Sequence, residues 1–177
     1  MTEVVIKNKK LLKQLDQFTD IFFGIDGYDD KKYWVRDPAD AVTNGELYCS
    51  DEYFHKQKAL GDAHTGFPEQ HFSQPVGRMA VEDPDKWRGI RDLVRMRFAE
   101  TLGVHSAALF NYYPKGGHVG WHTNWNAPAY QILFTWSRTG DGYFRYHDPV
   151  KDEIVTIQDT KGWACRHYYF GAKAEPE

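Results

Sequence analysis

A histidine and an asparagine two positions apart, His122 and Asn124, form the pair in this chain that is best suited to bind a metal ion. Residues two apart on an extended segment point to the same side, so an imidazole nitrogen and an amide oxygen could reach one ion. A His-x-Asp pair with a distant second histidine forms the two-histidine, one-carboxylate triad that binds non-heme Fe(II). In this chain the carboxylate position holds an amide. The pattern therefore indicates an iron site with one altered ligand.

The segment before His122 carries a second spaced pair, Asn111 and Tyr113, followed by the turn sequence Pro114-Lys-Gly-Gly117. On a strand these two side chains would also face one side, where they could line the same pocket as His122. Taken singly, Asn111 and Tyr113 are equally compatible with ordinary strand positions, and His122 with a hydrogen-bonded histidine in a turn. Their order along the chain favours a shared site.

Two helices and a set of strands are predicted to position these residues. Apolar residues at helical spacing predict one helix over residues 9–22, with Gly24 as its stop, and a second over residues 85–102, with Gly103 just past its end. Residues 24–85, rich in Gly, Pro and Asp, predict loops with short strands. After Gly103, β-branched and aromatic runs separated by turn signals predict a meander of five strands: Ser106–Tyr113, Tyr130–Trp136, Gly142–His147, Glu153–Gln158 and Trp163–Phe170.

Composition limits the classes of protein to which the chain can belong. Its 177 residues, 16% of them aromatic and 27% charged, predict one folded domain of the α+β class. A net charge of −3 removes the global field that would steer nucleic acid, although a local basic groove remains compatible with it. No apolar run approaches the ~20 residues of a membrane span. These features predict a cytoplasmic protein without a membrane partner, with Cys49 and Cys165 as free thiols.

From Ser106 to Phe170 the chain resembles the 2-oxoglutarate- and Fe(II)-dependent oxygenase superfamily, particularly its AlkB-like and small phage-type hydroxylase branch. The Asn-x-Tyr pair, the glycine-containing turn and the His-x-Asp position of that branch occur here in the same order, with Asn124 in place of the aspartate. The resemblance implies a double-stranded β-helix, also called a jelly roll or cupin-like barrel, over residues 106–170. Residues 1–105 would form a helical, loop-rich cover with its N-terminal helices packed on the barrel.

The resemblance also implies roles for individual residues. Asn111 and Tyr113 would hydrogen-bond 2-oxoglutarate, and His122 would be the first Fe(II) ligand. His167 is the candidate distal ligand, and Arg166 is the candidate for the basic residue that pairs with the far carboxylate of 2-oxoglutarate. The implied activity is hydroxylation of a C–H bond of a small-molecule or peptide substrate, with O2 as cosubstrate and succinate and CO2 as products.

The chain departs from the family pattern at two places. An amide at Asn124 leaves three possibilities: weak ligation through its oxygen, a degenerate iron site, or a position open to an anion such as halide, as in halogenases of this superfamily. No arginine follows His167, so the distal histidine and the arginine could instead lie beyond residue 177. Other candidates remain for these two roles: His118 and His147 as ligands, and Arg145 as the basic residue.

Two competing hypotheses describe proteins without an iron site. One is a catalytically degenerate jelly-roll binding or interaction module. The other is a sugar-binding cupin, in which Trp121 and Trp125 would line the pocket. The identity of the substrate and the oligomeric state do not follow from the residues.

Overall fold

A computed structural model of the chain describes residues 1–35, 38–61, 68, 70–105, 110–123 and 128–170. Asn124 and Trp125 lie outside these ranges, as does most of the predicted strand before Asn111. The chain forms two compact units. The first comprises residues 8–123 and the second comprises residues 1–7 together with residues 124–177. The expected single domain, with a cover over residues 1–105 and a barrel over residues 106–170, stays a prediction.

The first helix, α1, spans Lys9–Gly24 and confirms the helix predicted from apolar spacing. It begins after Asn8, whose side-chain oxygen accepts hydrogen bonds from the backbone nitrogens of Lys10 and Leu11 at 3.0 and 3.1 Å. The apolar stripe of α1 is buried, as an amphipathic helix requires; it consists of Leu11, Leu15, Phe18 and Phe22.

The second predicted helix is also present, with one irregularity in its middle. It consists of α5 (Pro84–Asp92), a π-helical stretch (Leu93–Phe98) and α6 (Ala99–Leu102). Asp83 caps its start, and Gly103 ends it in the left-handed conformation at φ 64°. The π-helical stretch widens the helix locally, a change that apolar spacing does not reveal.

The prediction of loops with short strands over residues 24–85 is wrong for three stretches, which form α2 (Pro38–Tyr48), α3 (Asp51–Ala59) and α4 (Val76–Glu82). Pro38 and Pro75, two of the residues that predicted loops, stand instead at helix starts. Ser50 caps α3 by accepting from the backbone nitrogen of Tyr53 at 3.0 Å, and Pro75 precedes α4. Short strands β2 (His71–Phe72) and β3 (Gln74–Pro75) and a 3₁₀ turn (Lys31–Tyr33) complete this region.

In the first unit, two short strands contain candidate site residues or directly precede them. Strand β4 (Asn111–Tyr112) pairs with β3, and β5 (His118–Val119) pairs with β2, both antiparallel. The helices supply most of the core beneath them. The largest fully buried apolar side chains belong to Leu15, Tyr33, Phe72, Met79, Trp87 and Ile90.

In the second unit, the predicted meander is wrong in all but one pairing, because only β7 and β8 pair as sequence neighbours. Strands β6 (Ala129–Ser137), β7 (Tyr143–Asp148), β8 (Glu153–Gln158) and β9 (Gly162–Phe170) lie close to their predicted positions. Strands β7 and β8 form an antiparallel hairpin with each other. Strand β9 pairs along its whole length with β6 rather than with its sequence neighbour β8. The short strand β1 (Thr2–Glu3) pairs with the other side of β9.

The architecture is therefore a mixture of helices and several small antiparallel sheets, which confirms the predicted combination of α and β structure at that level. The strands that the structure describes do not close into a barrel. None of the helices in the described ranges is both long enough and apolar enough to cross a membrane.

Candidate functional site

His122 lies in the irregular segment that follows β5, and its imidazole is exposed. Its Nδ1 atom is 2.9 Å from the carbonyl oxygen of Gly120. When Nδ1 carries the proton and donates to this oxygen, the lone pair is on Nε2; this tautomer is assigned from the hydrogen bond. Metal-binding histidines are commonly held in this way, with one ring nitrogen donating to a carbonyl group and the other left for the ion. In this tautomer the hydrogen bond to Gly120 engages Nδ1 of His122 and leaves the Nε2 lone pair for another partner.

The two residues before His122 are held by hydrogen bonds to backbone carbonyls that are distant in sequence. The backbone nitrogen of Gly120 donates to the carbonyl of Gln70 at 3.0 Å, and that of Trp121 donates to the carbonyl of Tyr48 at 3.1 Å. The indole of Trp121 is half-buried, and its Nε1 donates to the backbone carbonyl of Ser50 at 3.0 Å. Trp121, which would line the pocket of a sugar-binding cupin, is thus hydrogen-bonded to the protein itself.

Asn111 and Tyr113 share one side of the chain, as their spacing predicts. The side-chain nitrogen of Asn111 lies 3.5 Å from the hydroxyl oxygen of Tyr113, a long hydrogen bond. Tyr113 as a whole remains 45% exposed. Partial burial raises the pKa of Tyr113, and the hydrogen bond from Asn111 acts in the opposite direction. The hydroxyl group therefore stays protonated at neutral pH and is available as a donor.

The turn after Tyr113 depends on two glycines. Gly116 adopts the left-handed conformation at φ 79°. At Gly117, a Cβ atom would lie 2.7 Å from the carbonyl oxygen of Pro114 and 2.9 Å from the Cα of Tyr113. It would also lie 2.9 Å from the Cβ of Tyr113, and none of these three atoms can move independently of the backbone. The close approach is accompanied by a hydrogen bond of 2.6 Å from the Gly117 nitrogen to the same carbonyl.

We expect Gly117→Ala to lower the free energy of unfolding by about 1–3 kcal/mol, because the added methyl group forces the backbone of the turn apart. Urea unfolding followed by circular dichroism measures this change. Gly77→Ala is the matched control: Gly77 lies in α4, where a Cβ atom meets nothing within 4 Å. A loss at Gly117 no larger than that at Gly77 would show that the turn does not need a glycine there.

Arg166 and His167 are neighbours on β9 and occupy opposite faces of its sheet. Arg166 is buried, with 2% of its side chain exposed, whereas His167 is exposed. The Nη1 of Arg166 donates to the hydroxyl of Thr135 at 3.1 Å, and Nη2 donates to the Asp159 carboxylate at 3.3 Å. Its Nε has no hydrogen-bond partner among the described residues. The two terminal nitrogens predicted to bind 2-oxoglutarate are therefore already paired within the second unit.

The other histidines and the other arginine that the sequence offered for the iron and 2-oxoglutarate sites each contact neighbouring groups. His147 Nε2 lies 2.9 Å from an Asp152 carboxylate oxygen in the β7–β8 hairpin, and Arg145 donates to the hydroxyl of Thr156 across the same hairpin at 3.1 Å. His118 Nδ1 is 3.2 Å from the carbonyl of Gly116. Within the described ranges, no three His, Cys, Asp or Glu side chains form a group that could hold a metal ion.

Sequence reasoning missed the partners of the candidate residues. The β6–β9 register brings Thr135 to Arg166, and the contact of Asp159 with Arg166 is seen only in the folded chain. Tyr48 and Ser50 were assigned to loops, although their carbonyls anchor Trp121 beside His122. Backbone acceptors carry no residue-type signal, so no sequence pattern could have identified them.

Comparison of the chain with protein-family models, with curated proteins and with solved structures returned no match. A functional proposal for this protein therefore rests on its own residues and their geometry.

Proposed function

We propose that this protein is a 2-oxoglutarate- and Fe(II)-dependent dioxygenase that hydroxylates a C–H bond of a small-molecule or peptide substrate. The orientation of His122 carries the proposal. Its Nδ1 is tied to the Gly120 carbonyl, which leaves the Nε2 lone pair on an exposed imidazole in the position expected of a metal ligand. The Asn111 and Tyr113 pair, which shares one side of the chain, supplies polar groups suited to a carboxylate-bearing cosubstrate.

The strand pairing in the second unit supports a jelly-roll fold for the proposed enzyme. Strand β9 returns to β6, and the β7–β8 hairpin lies between them in sequence. This nested order arises when a long hairpin folds into two sheets, which is how jelly rolls are built. The double-stranded β-helix implied by the resemblance is therefore part of the proposal.

In the proposed enzyme, His122 would be an Fe(II) ligand, and Asn111 and Tyr113 would hydrogen-bond 2-oxoglutarate. When bound, the iron and 2-oxoglutarate supply the oxidation of the C–H bond by O2, with succinate and CO2 released. The Tyr113 hydroxyl and the Asn111 amide are both donors, so they can bind and orient a carboxylate or keto oxygen. Their part is to orient the cosubstrate rather than to exchange protons with it.

Arg166 fits its predicted role less well than His122 does. Its two terminal nitrogens are bonded to Thr135 and Asp159, and a bidentate contact with a carboxylate needs two free nitrogens on one edge of the guanidinium group. Of the three guanidinium nitrogens, only Nε has no hydrogen-bond partner among the residues that the structure describes. Binding of 2-oxoglutarate by Arg166 would therefore require the Asp159 contact to break.

Anaerobic titration with Fe(II) in the presence of 2-oxoglutarate tests the proposal. We expect the intact protein to develop the weak visible charge-transfer band of the iron–cosubstrate complex, and His122→Ala to lose it. His105→Ala is the control, because His105 is also an exposed histidine of the first unit. Absence of the band from the intact protein, or its persistence in His122→Ala, would overturn the assignment. The same titration on His167→Ala reports whether His167 is a ligand.

A catalytically degenerate binding or interaction module is the second candidate. The observation that favours it is the buried pairing of Arg166 with Asp159. Arg166 is the residue predicted to bind the carboxylate of 2-oxoglutarate, and this pairing occupies it. Calorimetric titration with 2-oxoglutarate distinguishes the two functions. Failure of 2-oxoglutarate to bind with or without Fe(II) would favour the module over the enzyme.

A further inference from the structure

We infer that Trp121 is a positioning residue. Together with the end of α2 and the start of α3, it fixes the peptide that joins Gly120 to Trp121. Through that peptide it fixes the tautomer and orientation of the His122 imidazole. The inference rests on the proposed role of His122 as a metal ligand. It assigns part of the metal site to the helical region of the chain.

One planar peptide unit connects the helices to the imidazole. Its N–H belongs to Trp121 and donates to the carbonyl of Tyr48 at 3.1 Å. Its C=O belongs to Gly120 and accepts from His122 Nδ1 at 2.9 Å. Because the peptide is planar and trans, the two bonds point in opposite directions and rotate together. An acceptor at the end of α2 therefore determines where the carbonyl that orients His122 can point.

The indole of Trp121 provides the second attachment of this peptide. Its Nε1 donates to the carbonyl of Ser50 at 3.0 Å, and Ser50 is the residue that caps α3. The ring packs against Phe54 of α3 with 4.8 Å between ring centroids. Tyr48 ends α2, and carbonyls at a helix end lack intrahelical partners. The Ser50 carbonyl also accepts from the backbone nitrogen of Phe54 at 3.1 Å, so Trp121 donates to backbone acceptors that two helices hold in place.

The lack of a side chain at Gly120 allows this close approach. A Cβ atom there would lie 3.0 Å from the Gln70 carbonyl oxygen, and 3.1 and 3.2 Å from the Cβ and carbonyl oxygen of Tyr48. The Gly120 nitrogen also donates to the Gln70 carbonyl at 3.0 Å. The peptide is therefore enclosed on both sides, so its orientation is a property of the fold rather than of a free loop.

The test uses Trp121→Phe, which retains an aromatic ring for packing on Phe54 and removes the Nε1 donor. Two-bond proton–nitrogen correlation spectra of the metal-free protein report the His122 tautomer. We expect one dominant Nδ1–H tautomer in the intact protein and a mixture of tautomers in the variant. Titration with Co(II) alone should show affinity reduced by about 10-fold, the usual size of the effect when a group that orients a metal ligand is lost.

Trp34→Phe is the matched control. Trp34 is also half-buried and packs against a phenylalanine, with 5.2 Å between its ring and that of Phe72. Its Nε1 has no hydrogen-bond partner among the described residues, so this substitution removes no bond that the structure shows. We expect an unchanged His122 spectrum and unchanged Co(II) affinity in this variant.

The outcomes separate the inference from the proposed function. An unchanged His122 spectrum in Trp121→Phe would overturn the positioning role, whatever happens to stability. A shifted spectrum without Co(II) binding to the intact protein would uphold the positioning role and refute the metal site. If Trp121→Phe does not fold, Phe54→Leu removes the supporting ring and leaves both donors of Trp121; a His122 spectrum identical to that of the intact protein would then count against the inference.

Discussion

Replacing Arg166 by methionine is expected to lower the free energy of unfolding by about 3–5 kcal/mol, the usual effect of removing one partner of a buried ion pair. Arg166 exposes 2% of its side chain and Asp159 exposes 16% of its side chain, with 3.3 Å between Nη2 and Oδ1. Methionine fills much of the same space but leaves the carboxylate without its cation. The hydroxyl of Thr135 loses a donor as well. Urea unfolding measures the loss.

A double-mutant cycle isolates the ion pair from other effects of the substitution. Asp159→Ala removes the carboxylate alone, and the combination with Arg166→Met removes both charges. We expect the double variant to be more stable than the sum of the two single losses predicts, because no buried charge is left unpaired. Strict additivity of the two single losses would show that the contact between Arg166 and Asp159 contributes nothing.

Replacing Trp87 by alanine is expected to lower the free energy of unfolding by about 3–5 kcal/mol, because the variant loses a large buried ring and retains a cavity. Trp87 is completely buried in α5. Its ring packs against Phe22 of α1 and Tyr33, at centroid distances of 5.8 and 6.0 Å. A loss of this size is a large part of the stability of an ordinary domain. The variant should therefore unfold at a much lower urea concentration, as measured by circular dichroism at a helical wavelength.

Two further variants make the Trp87 result interpretable. Val81→Ala, in the neighbouring α4, changes a side chain that is 81% exposed, and we expect it to alter stability by less than about 0.5 kcal/mol. Trp87→Phe should cost less than Trp87→Ala, because the smaller ring fills part of the cavity. The substitution also removes a buried Nε1 donor that has no hydrogen-bond partner among the described residues. Equal effects of Trp87→Ala and Val81→Ala would show that Trp87 is not a core residue.

The sequence predicted those elements whose patterns are local. Helix α1 and the helix over residues 84–102 follow from apolar residues at helical spacing and from capping residues adjacent in sequence. The glycine turn after Tyr113 follows from backbone conformations that few other residues adopt. Helices α2, α3 and α4 were missed because their bounding residues, such as Pro38, Ser50 and Pro75, are favoured equally in loops and at helix starts.

The candidate site likewise has features that the sequence predicted and features that only the structure shows. The types and spacing of Asn111, Tyr113 and His122 predicted polar side chains on extended segments, and spacing alone placed Asn111 and Tyr113 on one side, because that geometry repeats every two residues. Only the tertiary structure decided that Gly120 bonds to Gln70 and that Trp121 bonds to residues 48 and 50, since those acceptors are backbone carbonyls distant in sequence.

By itself the sequence determined where the main strands and two of the helices lie, and which residues could bind iron or a carboxylate. It did not determine which strand pairs with β9, because hydrogen bonds between strands are made by backbone groups that every residue carries. That pairing places Arg166 inside and His167 outside, and it brings Thr135 to the buried guanidinium group. The roles of these residues therefore depend on register and burial, which arise only when distant segments pack together.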